Sequence, residues 1–171
     1  MNRLHIIGRK DSGKTTLIVD LVRHFSSLGY RVGTIKHTHH RHELDTPNKD
    51  SHRHRTAGAI MAGILSRSMN AVFWPNDAES ACAAIDRYEQ FSFLFAACDI
   101  VLVEGDSRSD APKIEVWRAE LATPPIASTD MSILAVITDD SVDVAREVLP
   151  RSDVAGLAQW ILSHVLEKES E

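Results

Sequence analysis

Apolar and polar positions along this chain fall into blocks whose period switches between strand-like and helix-like. The run Leu4-His5-Ile6-Ile7 reads as a short buried strand. Residues 16–28 then carry Leu17, Ile18, Leu21, Val22, Phe25 and Leu28 at helical spacing. Gly29 closes that helix as a C-cap, and residues 30–36 predict a second strand. Residues 59–65 and 70–74 predict two more, turning at 66–69, and Pro75-Asn76-Asp77 opens a helix near Ala78 that runs to about Tyr88. Residues 99–104 form the clearest later strand, with unbroken β-branched and leucine positions that imply burial on both faces. In residues 112–118 apolar and charged positions alternate, which predicts a half-exposed strand with Lys113, Glu115 and Arg118 on a wet face or an interaction surface. Residues 133–138 predict a further strand, and 140–149 and 154–165 the closing helices. Strands alternating with helices predict an α/β fold with a mostly parallel, doubly wound sheet flanked by helices.

The residues between the first strand and the first helix change that picture from a fold to a chemistry. Gly8-Arg9-Lys10-Asp11-Ser12-Gly13-Lys14-Thr15 is a complete G-x-x-x-x-G-K-[ST] phosphate-binding loop, in the strand–loop–helix context it requires. Its glycines let the backbone wrap closely round a phosphate chain with successive N–H groups pointing inward. Lys14 supplies a cation to the β- and γ-phosphates, Thr15 a hydroxyl to Mg²⁺, and the helix that begins around Thr16 a favourable dipole. The fold expected is therefore of the P-loop NTPase type, with a nucleotide bound at residues 8–16.

Composition narrows the setting. A chain of 171 residues predicts a single domain, 1–171, with residues 167–171 as a frayed acidic tail. The net charge of −5 gives no global pull towards nucleic acid or acidic membranes. No stretch reaches the ~18 uninterrupted apolar residues of a membrane helix, and the phosphate loop arrives too early to leave room for a signal peptide. Cys82 and Cys98 lack metal-type spacing and read as reduced core thiols, which suits a cytoplasmic protein.

Other side chains are candidates for the same site. Ligands of open α/β sheets gather at the carboxyl ends of strands, which places Glu104 where it supports Mg²⁺ through a water or pairs with a lysine. Lys36, His37, His39 and His40 open off the end of the second strand, with Arg41, His42, Lys49, Arg53 and Arg55 close behind in sequence. That segment reads as an anion- or substrate-handling loop, a solvated surface or, through the histidines, a metal site. Asp45 and Asp50 are weaker candidates to reach a metal–phosphate site, against a reading as caps and solvated charges. Asp139, after the strand at 133–138, either receives the N1 and N2 hydrogens of guanine or caps a helix.

Taken in order, these residues resemble the MobB family, the molybdopterin-guanine dinucleotide biosynthesis adaptor proteins. The resemblance rests on residues 8–17, on Val32-Gly-Thr-Ile-Lys-His-Thr-His-His40, on 45–51 and 55–59, on Asp99-Ile-Val-Leu-Val-Glu-Gly105 and on Pro112-Lys-Ile-Glu-Val-Trp-Arg118. It implies a GTP- and Mg²⁺-binding protein, homodimeric, with feeble GTPase activity, which assists the MobA guanylyltransferase as it joins GMP to molybdopterin. Asp106 stands where the family usually has an aromatic residue, and Asn48 where it usually has glycine. Two other function classes share the loop: a small-molecule kinase or ligase, with Arg53, Arg55 and Arg67 as lid candidates, and a metallochaperone using the histidines of 37–42.

Overall fold

The first apolar run becomes the centre of a sheet. In the computed structural model, which describes residues 1–38, 43–75 and 86–166, β1 (Arg3–Ile7) pairs with β5 (Ile100–Glu104) on one side and β6 (Lys113–Val116) on the other. β2 (Val32–Lys36) lies outside β5, while β7 (Ile133–Ile137) and β8 (Glu147–Leu149) continue beyond β6. The six strands run in the order β2-β5-β1-β6-β7-β8, and every pairing is parallel.

Period-2 positions on the strands and period-3.6 positions on the helices meet on one face. Leu4 and Ile6, Ile100 and Leu102, Ile114 and Val116, Ala135 and Ile137 all point to α1 (Lys14–Ser27) and α3 (Val154–Ile161), which answer with Leu17, Leu21, Phe25, Leu157 and Ile161. The opposite face holds two smaller clusters, one around Ile7, Ile133, Val136 and Trp117, the other around Val101, Val103 and Tyr88. Two further elements, α2 (Asp50–Thr56) and the antiparallel hairpin of β3 (Ala62–Leu65) and β4 (Asn70–Phe73), belong to a separate compact unit, His39–Arg87, while the sheet unit comprises Met1–Thr38 and Tyr88–Glu171. No helix among the described residues is long and apolar enough to cross a membrane.

Two expectations meet the structure differently. β6 is not half-exposed: Lys113 and Glu115 are buried at 4% and 1% exposure, because the strand is central and both faces are covered. Each charge is satisfied by main chain instead of water. Lys113 Nζ donates to the carbonyls of Ser107 (3.0 Å) and Ser109 (2.6 Å), and Glu115 accepts from the N–H groups of Ile126 and Ala127 at 2.8 Å each. Residues 140–149 form no helix; their Asp, Ser and Val content disfavours one, and the segment ends in strand β8 instead. The helix predicted near Ala78 falls mostly outside the described residues, as do Cys82, His39, His40, Arg41, His42 and the acidic tail. Cys98 is a half-buried free thiol packed beside the Val101–Val103 cluster.

The connection from β5 to β6 is a strap of residues 105–112, shorter than the dozen or more residues a parallel crossover usually takes. It passes β1 on the way, and β1 pins it. The fully buried His5 has Nδ1 3.2 Å from the Gly105 carbonyl and Nε2 3.2 Å from Ser109 Oγ, while Arg3 Nε donates to Nε2. Burial lowers the His5 pKa, and these partners suit a neutral ring with its proton on Nδ1. Asp106, in the left-handed region at φ 60°, accepts a 2.8 Å hydrogen bond from Tyr88.

Candidate nucleotide site

The loop at 8–15 leaves β1 at its carboxyl end and delivers the chain into α1. Gly8 has φ 144°, and a Cβ there would collide with the Val116 carbonyl, so only glycine fits. Gly13 has φ 94° and is the residue from which α1 begins; Asp11 also adopts a left-handed backbone. These turns leave the loop curled around its own centre. Lys14 Nζ lies across it, donating to the Arg9 carbonyl at 2.5 Å with Ser12 Oγ 3.5 Å away. Partial burial lowers the Lys14 pKa, with Glu104 and Asp11 opposing that shift. Ser12 is buried in the loop wall, whereas Arg9, Lys10, Asp11, Thr15 and Thr16 face solvent.

On the β5 side, hard oxygen ligands converge. Thr15 Oγ1 donates to Glu104 Oε1 at 3.0 Å, and Lys36 Nζ approaches the same oxygen at 3.3 Å. Strand pairing sets this triad, because Lys36 and Glu104 are direct partners between β2 and β5, and Ile6 pairs with Glu104 from β1. His37 follows at the strand end, its N–H bonded to the Glu104 carbonyl. A hydroxyl and a carboxylate meeting beside a phosphate loop suit Mg²⁺, which prefers oxygen ligands and keeps several waters.

On the β6 side, a pocket of about 490 Å³ opens next to the loop. Gly13 and Thr16 form one wall, Trp117 and Arg118 a second, Thr138 to Asp140 a third, and Arg151 with Ser152 the last. Asp139 Oδ1 accepts 2.9 Å bonds from both the N–H and the hydroxyl of Ser152, which hold its carboxyl below the usual carboxylate range. The residue thus caps the turn between β8 and α3, rather than a helix at 140. Arg151 bonds Asp20 of α1 at 2.6 Å, which ties this turn to the helix carrying Thr16. The sequence did not reveal Trp117, Arg151 or Ser152 as site residues. They come from separate strand ends, and the last wall was legible only once residues 147–149 were known to be a strand.

The remaining candidates sit in the smaller unit. Asp45 is buried and spends its carboxylate on Ser51 Oγ at 2.8 Å and on Arg55 Nε at 3.3 Å, and Arg55 also pairs with Glu43 at 2.7 Å. Asp50 begins α2, Lys49 stands at its N-cap, and Arg53 is exposed on its last turn. Asn48 takes the left-handed backbone, φ 65°, that glycine would otherwise supply. Among the described residues, no three His, Cys, Asp or Glu side chains gather as a metal-binding group.

Comparison with known proteins agrees with this fold. The family model described as molybdopterin guanine dinucleotide synthesis protein B matches residues 3–139. The chain is 34% identical to the molybdopterin-guanine dinucleotide biosynthesis adapter protein of Haemophilus influenzae, over 92% of this chain and 86% of that one. It is 32% identical to the Escherichia coli protein of the same name, over 88% and 86%. A crystal structure of molybdopterin-guanine biosynthesis protein B superposes with a TM-score of 0.69 at 28% identity, covering 94% of this chain and 97% of that one.

Proposed function

This chain belongs to the molybdopterin guanine dinucleotide synthesis protein B family, and from that membership we propose that it is a GTP-binding adapter of molybdopterin guanine dinucleotide biosynthesis. The observation that carries the nucleotide part is the loop at 8–15 closing opposite Glu104, with Thr15 and Lys36 on the same carboxylate oxygen. The loop amides and the start of α1 bind the phosphates, and Lys14 turns from Arg9 to the β- and γ-oxygens. Thr15 and Glu104 would hold Mg²⁺, and the bound ion would neutralise charge on those phosphates. Lys36 then leaves Glu104 and faces the triphosphate.

The rest of the reading concerns what the bound nucleotide serves. The partner in this reading is a MobA-type guanylyltransferase, and the protein acts in the cytoplasm as a homodimer. Lys36 and His37 of the sheet unit supply positive or titratable groups suited to an anionic, molybdopterin-type ligand; in the smaller unit His39, His40, Lys49 and Arg53 do so separately, whereas Arg55 is spent on Glu43 and Asp45. Hydrolysis is slow, with turnover well below the ~1–100 s⁻¹ of kinases. Calorimetry with GTP, ATP and Mg²⁺ tests the core of this. GTP is expected to bind in preference to ATP, and Lys14→Ala to weaken it by about 100-fold, the loss of a charged contact to two phosphates. Equal affinity for both nucleotides, or none for either, contradicts it.

A further inference from the structure

We infer that Tyr88 is a positioning residue for the metal end of the site: its hydroxyl, bonded to Asp106, sets the turn that follows Glu104 and so the reach of that carboxylate. This inference rests on the GTP–Mg²⁺ reading above and specifies what keeps the metal-side carboxylate in place.

Glu104 is the last residue of β5, and its main chain is clamped from both sides. It pairs with Ile6 of β1 and Lys36 of β2, and its carbonyl accepts the His37 N–H at 2.9 Å. The chain then turns at once. Gly105 at φ 92° and Asp106 at φ 60° are consecutive left-handed residues, a conformation that glycine takes freely and aspartate tolerates. Gly105 is held through its main chain: its N–H donates to the Ile6 carbonyl at 3.0 Å, and its own carbonyl faces His5 Nδ1 at 3.2 Å. Asp106 is held through its side chain, where Oδ2 accepts from the Tyr88 hydroxyl at 2.8 Å.

Tyr88 is a firm anchor because its own ring is fixed. It is buried against Val101 and Val103 of β5, the strand that ends in Glu104. The Arg3 guanidinium lies 4.7 Å over the ring, and the His5 ring meets it in a T-shaped contact with centroids 5.1 Å apart. The phenol thus moves with the strand, and its one polar atom reaches the turn at the strand's end. The Glu104 carboxylate beside that turn has to meet Thr15 Oγ1, which donates to it at 3.0 Å. A rotation of the turn would swing the carboxylate away from that hydroxyl. Loss of such outer partners lowers metal affinity by roughly 10–100-fold.

Calorimetric titration of GTP into the full chain, at a series of free Mg²⁺ concentrations and in EDTA, tests the assignment. Tyr88→Phe removes one oxygen and keeps the packed ring. It is expected to raise the Mg²⁺ concentration needed for half-maximal GTP affinity by about 10-fold, while affinity in EDTA stays unchanged. Asp106→Gly breaks the same bond from the other end with a residue suited to the left-handed backbone, and should give the same shift. Asp106→Asn keeps an accepting oxygen for the hydroxyl and should retain the Mg²⁺ requirement of the unaltered chain. On a Glu104→Gln background Tyr88→Phe should add no further shift, because the carboxylate it positions is gone. An unchanged Mg²⁺ requirement in Tyr88→Phe and Asp106→Gly overturns the assignment and leaves the phosphate-loop reading standing. So does a shift in Asp106→Asn as large as in Asp106→Gly, which would make the aspartate's charge the active feature. An equal shift from Tyr88→Phe with and without the Glu104 carboxylate overturns it as well, as does GTP affinity in the unaltered chain that is indifferent to Mg²⁺. If the unaltered chain binds no GTP, both readings fall together.

Discussion

Single residues here carry more than their type suggests. Glu115 is a buried carboxylate whose pKa burial raises, although two main-chain N–H bonds and the Arg9 charge act the other way. Its two oxygens are the partners of the first N–H groups of the turn Ile126–Ser128. Glu115→Ala would leave those groups unpaired in a dry site, and is expected to cost about 2–3 kcal/mol in urea denaturation. Asp99 shows the opposite shift. Hydrogen bonds from the Arg31 side chain and main chain take its pKa from 3.8 down to about 2. Since the folded value is the lower one, its contribution is present above pH 3.8 and lost as pH falls from there through about 2. Thermal melting in that window is expected to be less steeply pH-dependent in Asp99→Asn, by a modest margin because the pair is solvent-facing.

At the scale of elements, local patterns were legible and three-dimensional neighbours were not. β1, the phosphate loop, α1 and β5 could be read in sequence because each is set by its own residues: apolar runs, two glycines, and helical spacing from Leu17 to Phe25. The Thr15–Glu104 meeting was legible too, since strand ends of a parallel sheet share one edge. β6 was misjudged because alternation reports polarity, and polarity equals exposure only if no main chain arrives to satisfy it. Here the strap over β1 and the 126–128 turn both do. The segment 140–149 was misjudged because apolar Val142 and Val144 fit a helix face as well as an irregular stretch packed on the Ile7–Trp117 cluster. The pocket walls at Trp117 and Ser152 needed the strand order, which no local pattern encodes.

Across the whole molecule, burial is concentrated in the sheet unit. β1, β5 and β7 contain residues with no solvent contact, whereas most of residues 43–75, including the α2 and β3–β4 region, are exposed. Native-state hydrogen exchange should therefore find its slowest amides in β1, β5, β6 and β7, and far faster exchange in β3 and β4, an isolated two-stranded pair. Comparable protection in both units would contradict this. The buried charges of β6 have a different consequence, for anyone grafting parts between relatives. Lys113 fastens the strap at 107 and 109, and Glu115 fastens the turn at 126 and 127, from successive same-side positions of one short strand. A chimera that imports either surface segment without the matching tether in β6 inherits an ion stranded in a dry interior, so strand and both client segments are exchanged as one cassette or not at all.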